Sequence, residues 1–273
     1  MIALGIVVGL VLGLTGAGGS ALAVPLLMIG LGWTLTQAAP VALIAVCAAA
    51  TFGTVVAWDV TYIRYRAAVL MSAVGFATAP LGLKAGLALP GPLLTLLFSG
   101  LLLVVAVRMI IQARRHPDET QVVNATATGD GAPAGGPICR TNPDTGRLLW
   151  TGRCAVVISG IGAVAGFLAG LLGVGGGFAI VPALRSATAV SMHSAVATSL
   201  MTIALTSAGA VVATLAIGRP LPWMVAIPVV LGSLVGMLAG RKVASRIVGP
   251  ALQQGFAVLM LVAACVLALR AAG

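Results

Sequence analysis

Two short runs in this sequence have the composition of an anion site. Gly16-Ala17-Gly18-Gly19-Ser20 and Gly173-Val174-Gly175-Gly176-Gly177 each gather glycines inside an otherwise apolar stretch. Glycine admits positive φ without steric cost, so successive backbone N–H groups in such a run can turn toward one point. A helix resuming after the run adds free amides and the positive end of its dipole. With the hydroxyls of Thr15, Ser20, Thr198 and Ser199, the amides of Gly16, Gly18, Gly19, Gly173, Gly175, Gly176 and Gly177 can replace water around a small oxyanion. The competing reading is plain packing, since small residues let any membrane helices approach closely.

Other polar residues are sparse, and each has a bland reading beside the functional one. An imidazole ordinarily titrates near neutral pH, so His193 can admit an anion or sense protons; it can equally cap a helix. Gln37 and Ser194 stand beside the same point of the pattern described below. Lys84 and Arg241 lie near segment ends, where long basic chains are expected to snorkel to the interface. Cys47, Cys139, Cys154 and Cys265 lack metal-ligand spacing and read as structural or incidental. No metal, cofactor or catalytic residue is expected. An intramembrane hydrolase built on Ser20 or Ser99 with His193 is a rival, weakened by the lack of a Gly-x-Ser-Gly context or a third polar group. A non-transporting membrane scaffold is the other.

The elements that must carry these residues are set by composition. Of 273 residues, 15 are Lys or Arg, 5 are Asp or Glu and 60% are apolar, with a mean hydropathy of +1.16. A soluble domain carries about 25% charged residues, so the 7% found here cannot cover a water-facing surface. The net charge of +10 is spread between apolar runs, not clustered on one face, which argues against nucleic acid and for orientation in a lipid bilayer. Eight apolar runs appear, at 2–32, 35–58, 66–89, 92–112, 154–184, 192–217, 221–240 and 250–270. Trp33, Trp58, Tyr62, Tyr65, Trp150 and Trp223 lie near their ends, as interfacial aromatics do. The N-terminus lacks the features of a cleaved signal. Residues 113–153 hold four of the five acidic residues and the Gly129 to Pro137 stretch, and read as a flexible cytoplasmic linker.

A shift of 157 residues lays 5–25 over 162–182 without a gap, matching ten identical residues from Gly5/Gly162 to Pro25/Pro182. The same offset pairs Thr36 with His193, Ala38 with Ala195, Leu43 with Leu200, Gly75 with Gly232 and Lys84 with Arg241. Two transmembrane repeats, 1–112 and 154–273, are therefore expected, a pattern found in secondary transporters. In each, Gly5/Gly9/Gly13 and Gly162/Gly166/Gly170 place a smooth stripe on one helix face before the helix fails.

The 31 residues of the opening run would extend about 46 Å as one helix, whereas two helices of about 13 residues, roughly 20 Å each, are too short to cross separately. The run is thus a tilted broken helix or a re-entrant hairpin. With eight crossings the Lys and Arg residues divide 10 to 5 between the two sides; with both glycine runs re-entrant they divide 12 to 3. The second division fits the positive-inside rule better. It leaves three crossings per half, which inverts the repeats and puts both termini outside the cytoplasm.

The Gly-Ala-Gly-Gly-Ser…Val24-Pro25 and Gly-Val-Gly-Gly-Gly…Val181-Pro182 motifs, with Ala195-Val196-Ala197-Thr198-Ser199-Leu200, resemble the sulfite exporter TauE/SafE family of membrane permeases. The resemblance covers nearly the whole chain outside the linker. It implies a multi-pass cell-membrane permease for sulfite, a sulfonate or another small sulfur-containing or organic anion. The first copy departs at Pro40-Val41-Ala42, which stands where the second has Ala197-Thr198-Ser199 and removes two hydroxyls. The expected fold is all-α: a polytopic membrane bundle of two homologous repeats, each opening with a glycine-broken helix.

Overall fold

The computed structural model describes residues 1–56, 65–115, 139, 151–177, 180, 183, 192–218, 221–244 and 250–272. Among them the chain forms α1 (Ile2–Thr15), a 3-10 turn (Gly16–Gly19), α2 (Ser20–Leu31), α3 (Leu35–Val56), α4 (Tyr65–Ala88) and α5 (Gly91–Arg115). After the linker come α6 (Gly152–Leu172), α7 (Met192–Ala216), α8 (Trp223–Ala244) and α9 (Pro250–Ala272). The expected disorder of the linker, the side chain of His193, and Trp58, Tyr62 and Trp150 lie outside the described residues. Cys139 is joined to Cys154 in the first turn of α6 by a disulfide with a Cα–Cα distance of 5.2 Å. Sequence reasoning does not anticipate that bond, because thiols on a segment assigned to the cytosol are expected to stay reduced.

Seven of the helices are long and apolar enough to cross a membrane, and this is a multi-pass membrane protein. Helices suit that role because every backbone group except those at the ends is bonded within the segment. The ends are closed locally. At the start of α3 the Thr34 amide donates to Gln37 Oε1 at 3.2 Å, half of a capping box. At the start of α6, Thr151 Oγ1 accepts from the Cys154 amide at 3.3 Å.

The 14 and 12 residues of α1 and α2 are too few to cross singly. Gly19 packs against Val11 and Leu12, and Gly30 against the Leu4 side chain, so α2 runs back beside α1 as the return arm of a hairpin. In the second half, Gly176 lies against the Ala165 carbonyl of α6, so the chain also doubles back there.

The glycine stripes form backbone-to-backbone seams. Gly5, Gly9 and Gly13 of α1 meet the carbonyls of Val229, Ser233 and Met237 on α8 with no room for a Cβ. Gly162, Gly166 and Gly170 of α6 do the same against Met71, Gly75 and Ala79 of α4. Each half's opening helix therefore packs on a helix of the other half, and the two halves interlock. Helix α5 packs on α9 at the periphery, where only 28% of the α5 span is buried. Helices α3 and α7 cross at the centre, each with 56% of its span buried. At that crossing the Cys47 thiol points to the Ala204 carbonyl, 3.6 Å away. Outward-facing residues such as Ile227, Leu231, Val235 and Leu238 on α8 recur every three to four positions and form its lipid face.

Candidate functional site

The second glycine break reaches the middle of the bundle. Helix α6 ends at Leu172, and Gly173 caps it with φ +73°, its amide donating to the Ala169 carbonyl at 3.0 Å. The chain then folds back through Gly175 (φ +72°) and Gly176 (φ +67°), and helical geometry resumes at Gly177. A Cβ on Gly175 would meet Ser207 Oγ at 2.7 Å, Val46 at 3.1 Å and Ile203 at 3.5 Å. Val46 and Ile203 stand at the middle of α3 and α7, so the break lies at mid-length of both central helices. Thr206 Oγ1 reaches the Gly175 carbonyl at 3.4 Å and ties the break to α7.

The approach to the first break mirrors that to the second, where Gly170 lies against Ala79 and Leu83 of α4. Gly16 has φ +67°, and the Gly16–Gly19 turn touches both α1 and α7. Gly13, one turn earlier, lies against Met237, Gly240 and Arg241 near the C-terminal end of α8. Helix α7 thus contacts both breaks.

Of the hydroxyls singled out in the sequence, Thr15 donates to the Val11 carbonyl of its own helix at 2.7 Å. Ser20, Thr198 and Ser199 are fully buried, and each is engaged in a contact of its own. His193 stands in the first turn of α7. Arg241 is half-buried and donates through Nη1 to the Gly53 carbonyl of α3 instead of snorkelling outward; its counterpart Lys84 is exposed. Ser99 donates to the Leu96 carbonyl on α5, whose principal partner is α9.

Sequence reasoning missed the rest of α7. Thr202, Thr206, Ser207 and Thr214 are also buried, so with Thr198 and Ser199 the helix carries a column of hydroxyls along most of its length. Three of them donate to the carbonyl four residues back: Thr202 to Thr198, Thr206 to Thr202 and Thr214 to Ala210, at 2.7 to 2.9 Å. Such bonds satisfy a hydroxyl inside its own helix. Ser207 differs: fully buried, its Oγ has no hydrogen-bond partner, a condition shared among the described residues with Ser72 on α4. Leaving a buried hydroxyl unpaired costs about 1–3 kcal/mol. A residue-by-residue comparison of α7 with α3 at the 157-residue offset would have revealed the column, since Val41, Ala42, Ala45, Ala49 and Ala50 occupy the matching places.

Where α3 begins and α7 ends, Thr36, Ala39, Leu87, Gly173 and Thr214 line a cavity of about 30 Å³. That is room for about one water molecule. No Asp or Glu lies in any described helix. No group of His, Cys, Asp and Glu side chains suited to a metal is found among the described residues.

Comparison with known proteins agrees with this architecture. Residues 1–267 match the family described as "Sulfite exporter TauE/SafE". A "Probable membrane transporter protein" of Xylella fastidiosa strain 9a5c is 30% identical over 246 residues, covering 88% of this chain and 82% of the relative. A protein of the same description from strain Temecula1 is 30% identical over 244 residues, with the same coverage. No solved structure matches the chain.

Proposed function

We propose a cargo, a direction and a mechanism from one premise: this chain belongs to the sulfite exporter TauE/SafE family and is a membrane transporter. The cargo is a small anion, sulfite or an organosulfonate, and it moves outward. The observation that carries this reading is the second glycine break, seated at mid-length of α3 and α7 against the buried hydroxyls of Thr206 and Ser207. Backbone amides and hydroxyls there replace hydration without a titrating carboxylate. An outward-moving anion needs no proton relay, because leaving a negative interior releases about 2.3 kcal/mol per charge per 100 mV.

The moving parts are two inverted repeats joined by the segment between α5 and α6, shorter at both ends than the 113–153 expected because α5 runs to Arg115 and α6 starts at Gly152. Supporting this, the 157-residue shift carries α1, α3, α4 and α5 onto α6, α7, α8 and α9 to within a few residues, apart from a seven-residue extension at the start of α6. The same shift carries the α1–α8 seam onto the α6–α4 seam. Two hairpins entering from opposite faces allow alternate exposure of a central site. The topology predicts that a C-terminal reporter active only in the cytoplasm stays silent; a bright fusion overturns the inverted arrangement.

Transport is tested with purified protein in liposomes loaded with labelled sulfite. Efflux above that of empty vesicles, lost in Gly175→Leu and Gly176→Leu variants that remain monodisperse, is the expected result. Wild-type efflux equal to that of empty vesicles overturns the proposal.

A further inference from the structure

We propose that Ser207 is the substrate-contacting hydroxyl of this transporter, donating to an oxygen of a singly charged oxyanion lodged at the second glycine break. The inference rests on the anion-transport reading and goes further by naming the donor, the side of the bundle and the charge of the cargo.

Four observations converge on Ser207. Its Oγ is fully buried and unpartnered. It faces Gly175 across a gap too narrow for a Cβ, which would stand 2.7 Å from the Oγ, so an anion reaches the hydroxyl as the break and α7 part. The neighbouring Thr206 hydroxyl is already used on the Thr202 and Gly175 carbonyls, so it fixes the break while Ser207 keeps its hydrogen. Finally, the matched position on α3 is Ala50, equally buried, so the central crossing packs without a hydroxyl at that place.

The second unpartnered hydroxyl falls in the same neighbourhood. Ser72 lies one helical turn from Gly75 on α4, and the methyl of Thr206 fills the place where a Gly75 Cβ would stand. Two unspent hydroxyls thus lie on α4 and α7, helices packed against each other. Val46 and Ile203 add apolar surface beside Gly175.

The charge of the cargo follows from what surrounds the donor. Among the described residues the basic side chains of the spans, including Lys84, Arg153 and Arg241, stand toward helix ends and none at mid-length. A site made of neutral donors in a low-dielectric interior compensates one negative charge far better than two, because desolvation rises steeply with charge. The form carried is therefore hydrogen sulfite or a sulfonate, not a dianion such as sulfate. The hydroxyl exists in one repeat only, so there is one such contact per chain.

The test follows labelled sulfite efflux from liposomes across a pH series that converts hydrogen sulfite to sulfite, with empty vesicles subtracted to remove neutral permeation. At fixed total concentration, protein-dependent flux falls as the dianion replaces the monoanion, and unlabelled sulfate does not compete. Ser207→Ala raises KM about tenfold, Ser207→Thr restores it, and Thr54→Val, which removes a buried hydroxyl donated to the Ala50 carbonyl, leaves KM within twofold. Ser207→Ala also keeps or raises the thermal midpoint, since it removes an unpaired polar group; a merely structural serine would lose stability and transport together. Flux that rises with the dianion, or an unchanged KM in Ser207→Ala, overturns this inference while leaving sulfite transport intact. Absence of protein-dependent sulfite flux overturns the transport reading itself.

Discussion

Helices α3 and α7 meet the same packing demand with different chemistry. Both cross at the centre, and both have 56% of their span buried. Yet the positions that α3 fills with Val41, Ala42, Ala45, Ala49 and Ala50 hold Thr198, Ser199, Thr202, Thr206 and Ser207 on α7, all fully buried. Because α3 shows that this geometry packs without hydroxyls, packing does not explain those on α7. The difference locates the polar work of the bundle on one helix, beside the glycine break that reaches mid-length.

Exchanging the two helices' chemistry gives the largest expected effect. Replacing the five α7 residues by their α3 counterparts is expected to abolish sulfite efflux, to below about one hundredth of wild type. The protein should stay folded, since Thr202 and Thr206 make their bonds within α7 and alanine is the best helix former. Retained efflux from a monodisperse protein would mean that the difference between α3 and α7 is incidental.

Next comes the backbone that the hydroxyl wall faces. Gly175→Ala puts a Cβ at 2.7 Å from Ser207 Oγ on a residue with φ +72°. The left-handed conformation alone costs roughly 1–2 kcal/mol for an L-residue, and the contact adds to it. A lower thermal midpoint together with at least tenfold slower efflux is expected. An equal thermal shift with normal efflux would separate the break's shape from its use.

Much of this arrangement was legible in advance. Among the described residues each of the eight apolar runs holds a helix, because a bilayer-length apolar stretch has few other ways to bond its backbone. The glycines four apart declared the seams of α1 and α6, since only a missing Cβ lets two backbones touch. Ser207 was not legible, because a hydroxyl's meaning depends on its partners: Thr206, one residue away, bonds within the fold, while Ser207 bonds nothing. Arg241 misled for a related reason. It sits as near its helix end as Lys84 does, but α8 lies across α3 so that the Gly53 carbonyl accepts its guanidinium.

That guanidinium marks a smaller asymmetry between the central helices. Arg241 pins α3 to α8 at Gly53, whereas Lys84, its counterpart across the repeat, is exposed. Arg241→Met is expected to lower stability by about 1.5–3 kcal/mol, the range for a hydrogen bond to a charged group. Lys84→Met should shift the thermal midpoint little. Equal shifts would show that α3 is not selectively anchored.

The smallest effect is expected at Thr202, and it sharpens the comparison most. Its hydroxyl donates to the Thr198 carbonyl at 2.9 Å, a bond made inside α7. That carbonyl also carries a lone pair for the helical ladder, so Thr202→Val removes a donor without orphaning an acceptor. Valine keeps the branched shape, so no cavity opens. Efflux within twofold of wild type and a thermal midpoint within a few degrees are expected. If Thr202→Val instead loses as much transport as Ser207→Ala, the column acts as one continuous polar surface, and the distinction between spent and unspent hydroxyls on α7 fails.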